Sequence, residues 1–391
     1  MTPDFPVSPP RSDADDATPS HTKIVATIGP ASEDKIGALI EAGMSVARIN
    51  FSHGTPEDFR RRVQKIRGEA EARGTAVGIL TDIQGPKMRM SRFPGGKREA
   101  KEGDRYRLRQ AKGTAEAGEV LFEFGGFLEA VQPGHRVLLA DGQVELEVDR
   151  VEKDHLVARV TRAGDIADRK GVHFPDSQIH YELPTEEDRQ NLALAREAGV
   201  DFIGISFVGR PEEIRAVRAL APQASMVAKI ERNAALENLD ALLAEADGIM
   251  VARGDLGVEL PVYSVPPIQK RLTRACRAAG KPVIVATQML ESMITAPVPT
   301  RAEVSDVATA VYEGVDAIML SGETTVGKFP VKCVETMVKI AAKTEAVQGL
   351  DFARNLVKSS DKQHLAATAV ELAEALDVRA IVVITRRGIM A

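Results

Sequence analysis

The chain lacks the features that mark several large classes of protein. It has 391 residues but only two cysteines, Cys276 and Cys333, which stand far apart and form no CxxC or other metal spacing. Neither a disulfide framework nor a zinc site is supported, and the expected localisation is a reducing cytoplasm. There is no excess of basic residues: the formal net charge is -5, which offers no general basic surface to nucleic acid. No apolar run is long enough to span a bilayer, so no membrane partner is expected. The opening stretch, MTPDFPVSPPRSDADDATPS, has neither the cationic start nor the apolar run of a secretory signal, and residues 1–21 are expected to form a disordered leader. Also missing are a GxxxxGK[ST] loop and the HRD and DFG sets of protein kinases, so the common ATP-binding folds are not supported.

What is present is an alternation. Short apolar runs, KIVATIG (23–29), VARIN (46–50), VGILTDI (77–83), FIGISF (202–207), MVAKIE (226–231), GIMVARG (248–254), PVIVATQ (282–288) and DAIMLSG (316–322), are separated by amphipathic stretches such as PEDFRRRVQKIRGEAEARG. Several of these stretches end in Gly just before the next run, as a helix C-cap does. Near-continuous apolar strands alternating with helices predict a parallel sheet covered on both faces. Eight units match a (β/α)8 barrel, and periodicity alone leaves a doubly wound open sheet as the alternative.

Two segments break the rhythm. Between the third strand and the helix near Glu186, residues 90–175 alternate Val, Leu and Arg across Gly-rich turns, which predicts a small β domain inserted over the catalytic face, a candidate lid. The expected organisation is therefore barrel over 22–89, lid over 90–175 and barrel again over 176–345. After that, LAATAVELAEALD and RAIVVITRRG read as one helix and one strand of a shortened C-terminal α/β domain over 346–391.

In such a barrel the carboxyl ends of the strands point into the active-site mouth. Here those ends carry Arg48, Asn50 and Ser52, then Asp82, Lys229 and Glu231, Arg253 and Asp255, Thr287, and Ser321 and Glu323. A purely structural barrel would cap its strands with Gly, Asn or Ser rather than a concentrated set of opposite charges. Glu231 and Asp255, from neighbouring strands, could share one cation; two carboxylates completed by water and substrate oxygens is a common way to hold Mg²⁺. Lys229 lies two residues before Glu231 and so on the same strand face, where an ammonium beside a metal suits phosphoryl transfer. Each of these residues taken alone also fits an ordinary ion pair. Gly254 and Gly257 flank Asp255 and allow backbone N–H groups to approach an anion. Asn50, Ser52 and His53 offer phosphate or cation contacts, or simply a helix-entry turn.

TKIVATIGPAS, MSVARINFSHG, DIQGPKMR, KGVHFP, KIER, IMVARGDLGVELP, VIVATQMLESM and AIMLSGETTVGKFPV, in that order, resemble the pyruvate kinase family. The resemblance runs from about residue 22 to 343. It implies a (β/α)8 barrel, a β-barrel lid after strand three, a C-terminal α/β domain, and conversion of phosphoenolpyruvate and ADP to pyruvate and ATP. By resemblance, Glu231 and Asp255 are the Mg²⁺ ligands, with Mn²⁺ as a substitute. Lys229, helped by Arg48, stabilises the transferring phosphoryl group. Gly254, Asp255 and Thr287 match the segments that hold the substrate carboxylate, and Thr287 lies near the point of enolate protonation. Asn50, Ser52, His53, Arg89 and the lid residue Lys170 match nucleotide contacts, and Ser321 and Glu323 match a pair near the proton path.

Many members of that family read DTKGPEIR where this chain has Asp82-Ile83-Gln84-Gly85-Pro86-Lys87-Met88-Arg89, and they bind K⁺ in a pocket to which Asn50, Ser52, Asp82 and Ile83 correspond here. A second type carries Lys in place of the Glu and works without K⁺. Ile83, Gln84 and Lys87 match the second type, so the Lys87 ammonium is expected to supply the charge of the missing ion. The family's third domain continues for roughly another hundred residues, an ordinary domain length, which leaves the family's tetramer an open expectation for this homo-oligomer candidate. A catalytically inactive barrel acting only as a binding partner is an alternative reading. Another phosphoenolpyruvate or pyruvate barrel enzyme, such as an aldolase, is a second, disfavoured by the lid and the INFSHG segment.

Overall fold

The computed structural model describes residues 20–51, 54–86, 88–177, 179, 182–347, 358, 360–376, 378 and 381–383. Residues 1–19 of the leader expected over 1–21, and the candidates Ser52, His53 and Lys87, lie outside the described residues. The chain forms two compact units, 1–350 and 351–391.

All eight apolar runs become strands of one closed parallel barrel: β1 (Lys23–Thr27), β2 (Met44–Asn50), β3 (Gly78–Ile83), β4 (Phe202–Ile205), β5 (Ser225–Ile230), β6 (Gly248–Ala252), β7 (Val283–Ala286) and β8 (Ala317–Leu320). Closure pairs β1 with β8 as well as β2, so the open-sheet alternative is excluded. The principal helices of the barrel are α1 (Ile36–Glu41), α2 (Pro56–Ala72), α3 (Glu186–Ala198), α4 (Pro211–Leu220), α5 (Leu239–Glu245), α6 (Val265–Ala279), α7 (Arg301–Tyr312) and α8 (Pro330–Glu345).

Local chemistry sets their ends. Thr55, Thr185 and Thr300 each cap a helix by accepting from the N–H three residues on, while Asp58, Asp188 and Glu303 accept back from the cap residue. Gly199 and Gly280 end α3 and α6 in the left-handed conformation that the sequence signal implied. Phe59, Val63, Ile66 and Ala70 form the buried face of α2, spaced by three or four residues.

Strand parity divides the barrel into two environments. Odd and even residues point to opposite faces. Met226, Ala228 and Ile230 of β5 join the large core between strands and helices, whereas Val227 joins a separate interior cluster with Val25, Leu80, Met250, Ala286, Ala317 and Met319. That apolar cluster plugs the barrel. Two residues further along the same faces come Thr27 above Val25, Asp82 above Leu80 and Lys229 above Val227. The barrel interior thus changes from apolar to charged within one layer.

The inserted segment builds a six-stranded curled sheet, in the order 172–173, 136–139, 144–151, 155–162, 105–110 and 119–122, with a two-stranded ribbon of 97–100 and 164–167 beside it. It has its own core, in which Phe122, Phe127 and Phe174 pack with ring centroids 5.4 to 6.0 Å apart. Its two ends meet at a neck: Met90 N–H donates to Lys170 O at 2.9 Å and Val172 N–H to Met88 O at 3.0 Å.

In the second unit the helix is Asp361–Ala375. The strand expected over 379–388 falls mostly outside the described residues, and the described 381–383 form no strand. No helix among the described residues is long and apolar enough to cross a membrane.

Gly204 sits opposite Asp82 in the β3–β4 register, and a Cβ there would lie 2.3 Å from Asp82 Oδ1. Gly204→Ala should therefore cost about 1–3 kcal/mol through overpacking, measured by urea denaturation. Unchanged stability together with unchanged turnover would show that the carboxylate moves freely.

Candidate active site

The centre of the barrel mouth is one carboxylate. Asp82 Oδ2 accepts from Arg48 Nη2 at 2.8 Å and from Arg48 Nε at 3.1 Å, and lies 3.2 Å from Lys229 Nζ. Lys229 Nζ in turn lies 2.7 Å from Glu231 Oε1 and donates to Ser206 Oγ at 2.7 Å. Arg48 Nη1 donates to Thr27 Oγ1 at 3.0 Å, and Thr27 Oγ1 donates to Leu320 O at 2.8 Å. A chain of alternating charge thus crosses strands β2, β3 and β5 and is anchored to β1 and β8. All four charged groups are buried, each at most 8% exposed.

The electrostatics follow from that burial. Burial alone would raise the Asp82 pKa, but the charges of Arg48 and Lys229 outweigh it and hold the carboxyl below its ordinary value. Burial opposes the charge on Lys229, yet Asp82 and Glu231 overcompensate and its pKa is raised, so it is an ammonium at neutral pH. For Glu231 burial wins: its carboxyl is raised despite Lys229, and the charge of Asp255 pushes it further. Glu231 is held by the N–H of Phe207, which donates to Oε2 at 2.6 Å from a left-handed backbone at φ 58°.

Gly254 and Asp255 lie in the first turn of the short helix Arg253–Glu259 that follows β6. Gly254 N–H donates to Thr287 Oγ1 at 2.8 Å, which brings the ends of β6 and β7 together. Past β8, Glu323 is fully buried and accepts from Leu290 N–H at 3.0 Å and Ser321 N–H at 2.7 Å. The Ser321 hydroxyl is buried with no hydrogen-bond partner among the described residues.

The remaining candidates are more dispersed. Asn50 pairs in register with Asp82 at the ends of β2 and β3. Ile83 has the opposite parity to Asp82, and its side chain is wholly buried in the layer between strands and helices. Its only route to the mouth is therefore the main chain. Arg89 and Lys170 sit at the lid neck: Arg89 Nη1 donates to Arg169 O at 3.0 Å, and Lys170 Nζ lies 3.7 Å from Asp141 Oδ2. The loop after β3 is pinned by the cap of α3, whose Asp188 Oδ1 accepts from Gln84 N–H at 3.0 Å and Gly85 N–H at 3.2 Å.

Sequence reasoning missed Thr27, Ser206 and Asp188. The first two end strands β1 and β4 with the parity of Asp82, so the strand-end rule applied to every strand would have found them. Asp188 carries only a helix-cap signal. Arg253 is turned away from the expected mouth and grips the segment after β7 instead.

A closed parallel barrel with buried cations and carboxylates gathered above an apolar plug defines a (β/α)8-barrel enzyme suited to an anionic substrate. Residues 19–334 match the model of the pyruvate kinase barrel domain. The chain is 44% identical to a pyruvate kinase of Methylorubrum extorquens, over 94% of this chain and 78% of that one. Identity is 43% to that of Geobacillus stearothermophilus, over 94% of this chain and 65% of the relative. The crystal structure of a pyruvate kinase from Cryptosporidium parvum is similar, with a TM-score of 0.87 and 35% identity, over 94% of this chain and 79% of that one. The chain belongs to the pyruvate kinase family, a family of phosphotransferases.

Glu259 ends the short helix and accepts from Asn233 N–H at 3.2 Å. Burial pushes its carboxyl up to about 7, against the Asn233 bond and Arg232. The folded state thus holds this proton more tightly than the unfolded chain, whose Glu titrates near ~4.3. The associated stability is complete below that value and is lost as pH rises through about 7. Glu259→Gln does not titrate, so its melting temperature relative to wild type should improve from about pH 5 to about pH 8. A difference independent of pH in thermal scans would refute the burial argument.

Proposed function

We propose that this protein transfers the phosphoryl group of phosphoenolpyruvate to ADP, giving pyruvate and ATP. The observation that carries the reading is the buried Arg48–Asp82–Lys229–Glu231 chain. Phosphoryl transfer asks a protein for little covalent chemistry and much anion neutralisation, and this chain holds two cations rigid with their charges fixed. Lys229 faces the transferring group and Arg48 assists it. Both are already neutralised by carboxylates, so neither needs a counter-ion before substrate arrives. The Gly254–Thr287 corner receives the substrate carboxylate, and Thr287 stands beside the carbon to be protonated, with Ser321 and Glu323 behind it. Asn50, Ser52, His53, Arg89 and Lys170 serve the nucleotide.

The donor set fits a divalent ion. Among the described residues no cluster of three or more acidic, His or Cys groups could hold a metal by itself. Glu231 and Asp255 supply two carboxylates; burial first, and then the charge of Asp255, raises the Glu231 pKa, and Mg²⁺ is ordinarily bound by one or two carboxylates plus substrate oxygens and water. When bound, Mg²⁺ or Mn²⁺ supplies Lewis-acid neutralisation of the phosphoryl oxygens. The lid, hinged at its neck, excludes water that would otherwise hydrolyse the donor.

The same reading holds that turnover needs no K⁺. Asp82 Oδ1 is buried with no hydrogen-bond partner among the described residues, which supports a further cationic partner there. On this reading the Lys87 ammonium supplies the charge of the missing ion.

A coupled assay with phosphoenolpyruvate, ADP and Mg²⁺ tests the reaction, and no turnover from folded protein would sink the proposal. Glu231→Gln should lower kcat by roughly two orders of magnitude, the scale on which loss of one electrostatic group in a site acts. Its melting temperature should barely move, because the change removes a metal ligand and leaves the core packing intact. Omitting K⁺ should leave wild-type turnover nearly unchanged, whereas Lys87→Glu should need K⁺. Strong stimulation of the wild type by K⁺ would overturn the Lys87 assignment.

A further inference from the structure

Thr287 and Gln288 are consecutive non-glycine residues with left-handed backbones, at φ 70° and 55°. L-residues adopt that region singly and at a cost, so a pair of them needs something to hold it. What holds it is Arg253. Its Nη2 donates to Thr287 O at 2.8 Å and lies 2.8 Å from Met289 Sδ, and its Nε donates to Ala286 O at 3.3 Å. The other edge of the guanidinium is fixed by Asp306 of α7, with Nη1 2.8 Å from Oδ1 and Nη2 2.8 Å from Oδ2. A planar fork held bidentate by one carboxylate fixes direction as well as charge. The next residue completes the grip, since Gly254 N–H donates to Thr287 Oγ1 at 2.8 Å. That bond occupies a lone pair of the hydroxyl and leaves its hydrogen to be donated elsewhere.

We infer that Arg253 is a positioning residue, which acts through Thr287 by setting the left-handed bend that aims the Thr287 hydroxyl hydrogen into the site. Residues 253 and 254 grip Thr287 at both its carbonyl and its hydroxyl, so β6 dictates the geometry at the end of β7. An ordinary structural ion pair between Arg253 and Asp306 would affect stability and leave catalysis alone. This inference rests on the proposed reaction, in which Thr287 touches substrate.

The test is a double-mutant cycle on the full chain with R253M, T287A and the double variant, together with R253K, which keeps the charge opposite Asp306. Readouts are kcat, the KM for each substrate, the melting temperature, and the exchange of pyruvate methyl hydrogens with solvent followed by NMR. A misplacement of about 1 Å costs up to roughly a hundredfold in rate, so R253M and T287A should each lower kcat and the exchange rate by about ten- to a hundredfold. The double variant should be no slower than the slower single one, with the KM for ADP unchanged. R253K should melt near wild type and still lose kcat, because a point charge cannot reproduce the fork; it carries the test if R253M fails to fold. Losses that multiply in the double variant, or R253K turning over at the wild-type rate, overturn the inference. An inactive wild type speaks instead against the proposed reaction, so the two failures are distinguishable.

Discussion

The site depends on one carboxylate shared by two cations. Without Asp82, Arg48 and Lys229 would face each other as like charges in a space closed to water, and one of them would have to lose its proton or leave. With it, both stay ionised, and Lys229 keeps Glu231 beside it. The surrounding structure serves this arrangement. Gly204 gives the carboxylate room, Ser206 and Thr27 take the remaining donors, and the apolar plug below keeps solvent from entering through the barrel. The charge chain is costly as a contribution to stability, and it holds two cations in fixed positions, the arrangement on which the proposed phosphoryl transfer rests.

Strand parity explains how one barrel carries both a core and a site. Each strand contributes alternate residues to the helix layer, and those are aliphatic almost without exception. The other face needs bulk only at the level of the plug, with Val25, Leu80, Val227 and Met250 among its members. Above that level packing makes no demand, and polar groups occupy the positions. Site and core are therefore read from the same strands at different heights.

The apolar runs made the barrel legible because parallel strands buried on both faces leave a dense aliphatic signal. The charged strand ends made Arg48, Asp82, Lys229 and Glu231 legible for the complementary reason, since nothing in a core calls for them. Other features left no local trace. Ile83 follows Asp82 directly, and only parity reveals that its side chain faces the helices. Arg253 looked like one more charged strand end, but its partner Asp306 lies 53 residues away on another helix, a pairing that only the folded barrel creates. Asp188 reads as a helix cap, and its second role, pinning the loop after β3, depends on a lid-sized gap in sequence being closed in space.

That closure has a consequence for how the inserted segment joins the barrel. The two ends of the lid run side by side through the neck, about one strand spacing (~4.8 Å) apart, so the barrel meets the whole segment as if it were a single hairpin. The path of the barrel chain beside the insertion is fixed from both sides, by the neck hydrogen bonds and by Asp188 on the loop after β3. The inserted segment is in this sense a cassette, set into the barrel chain at a single seam.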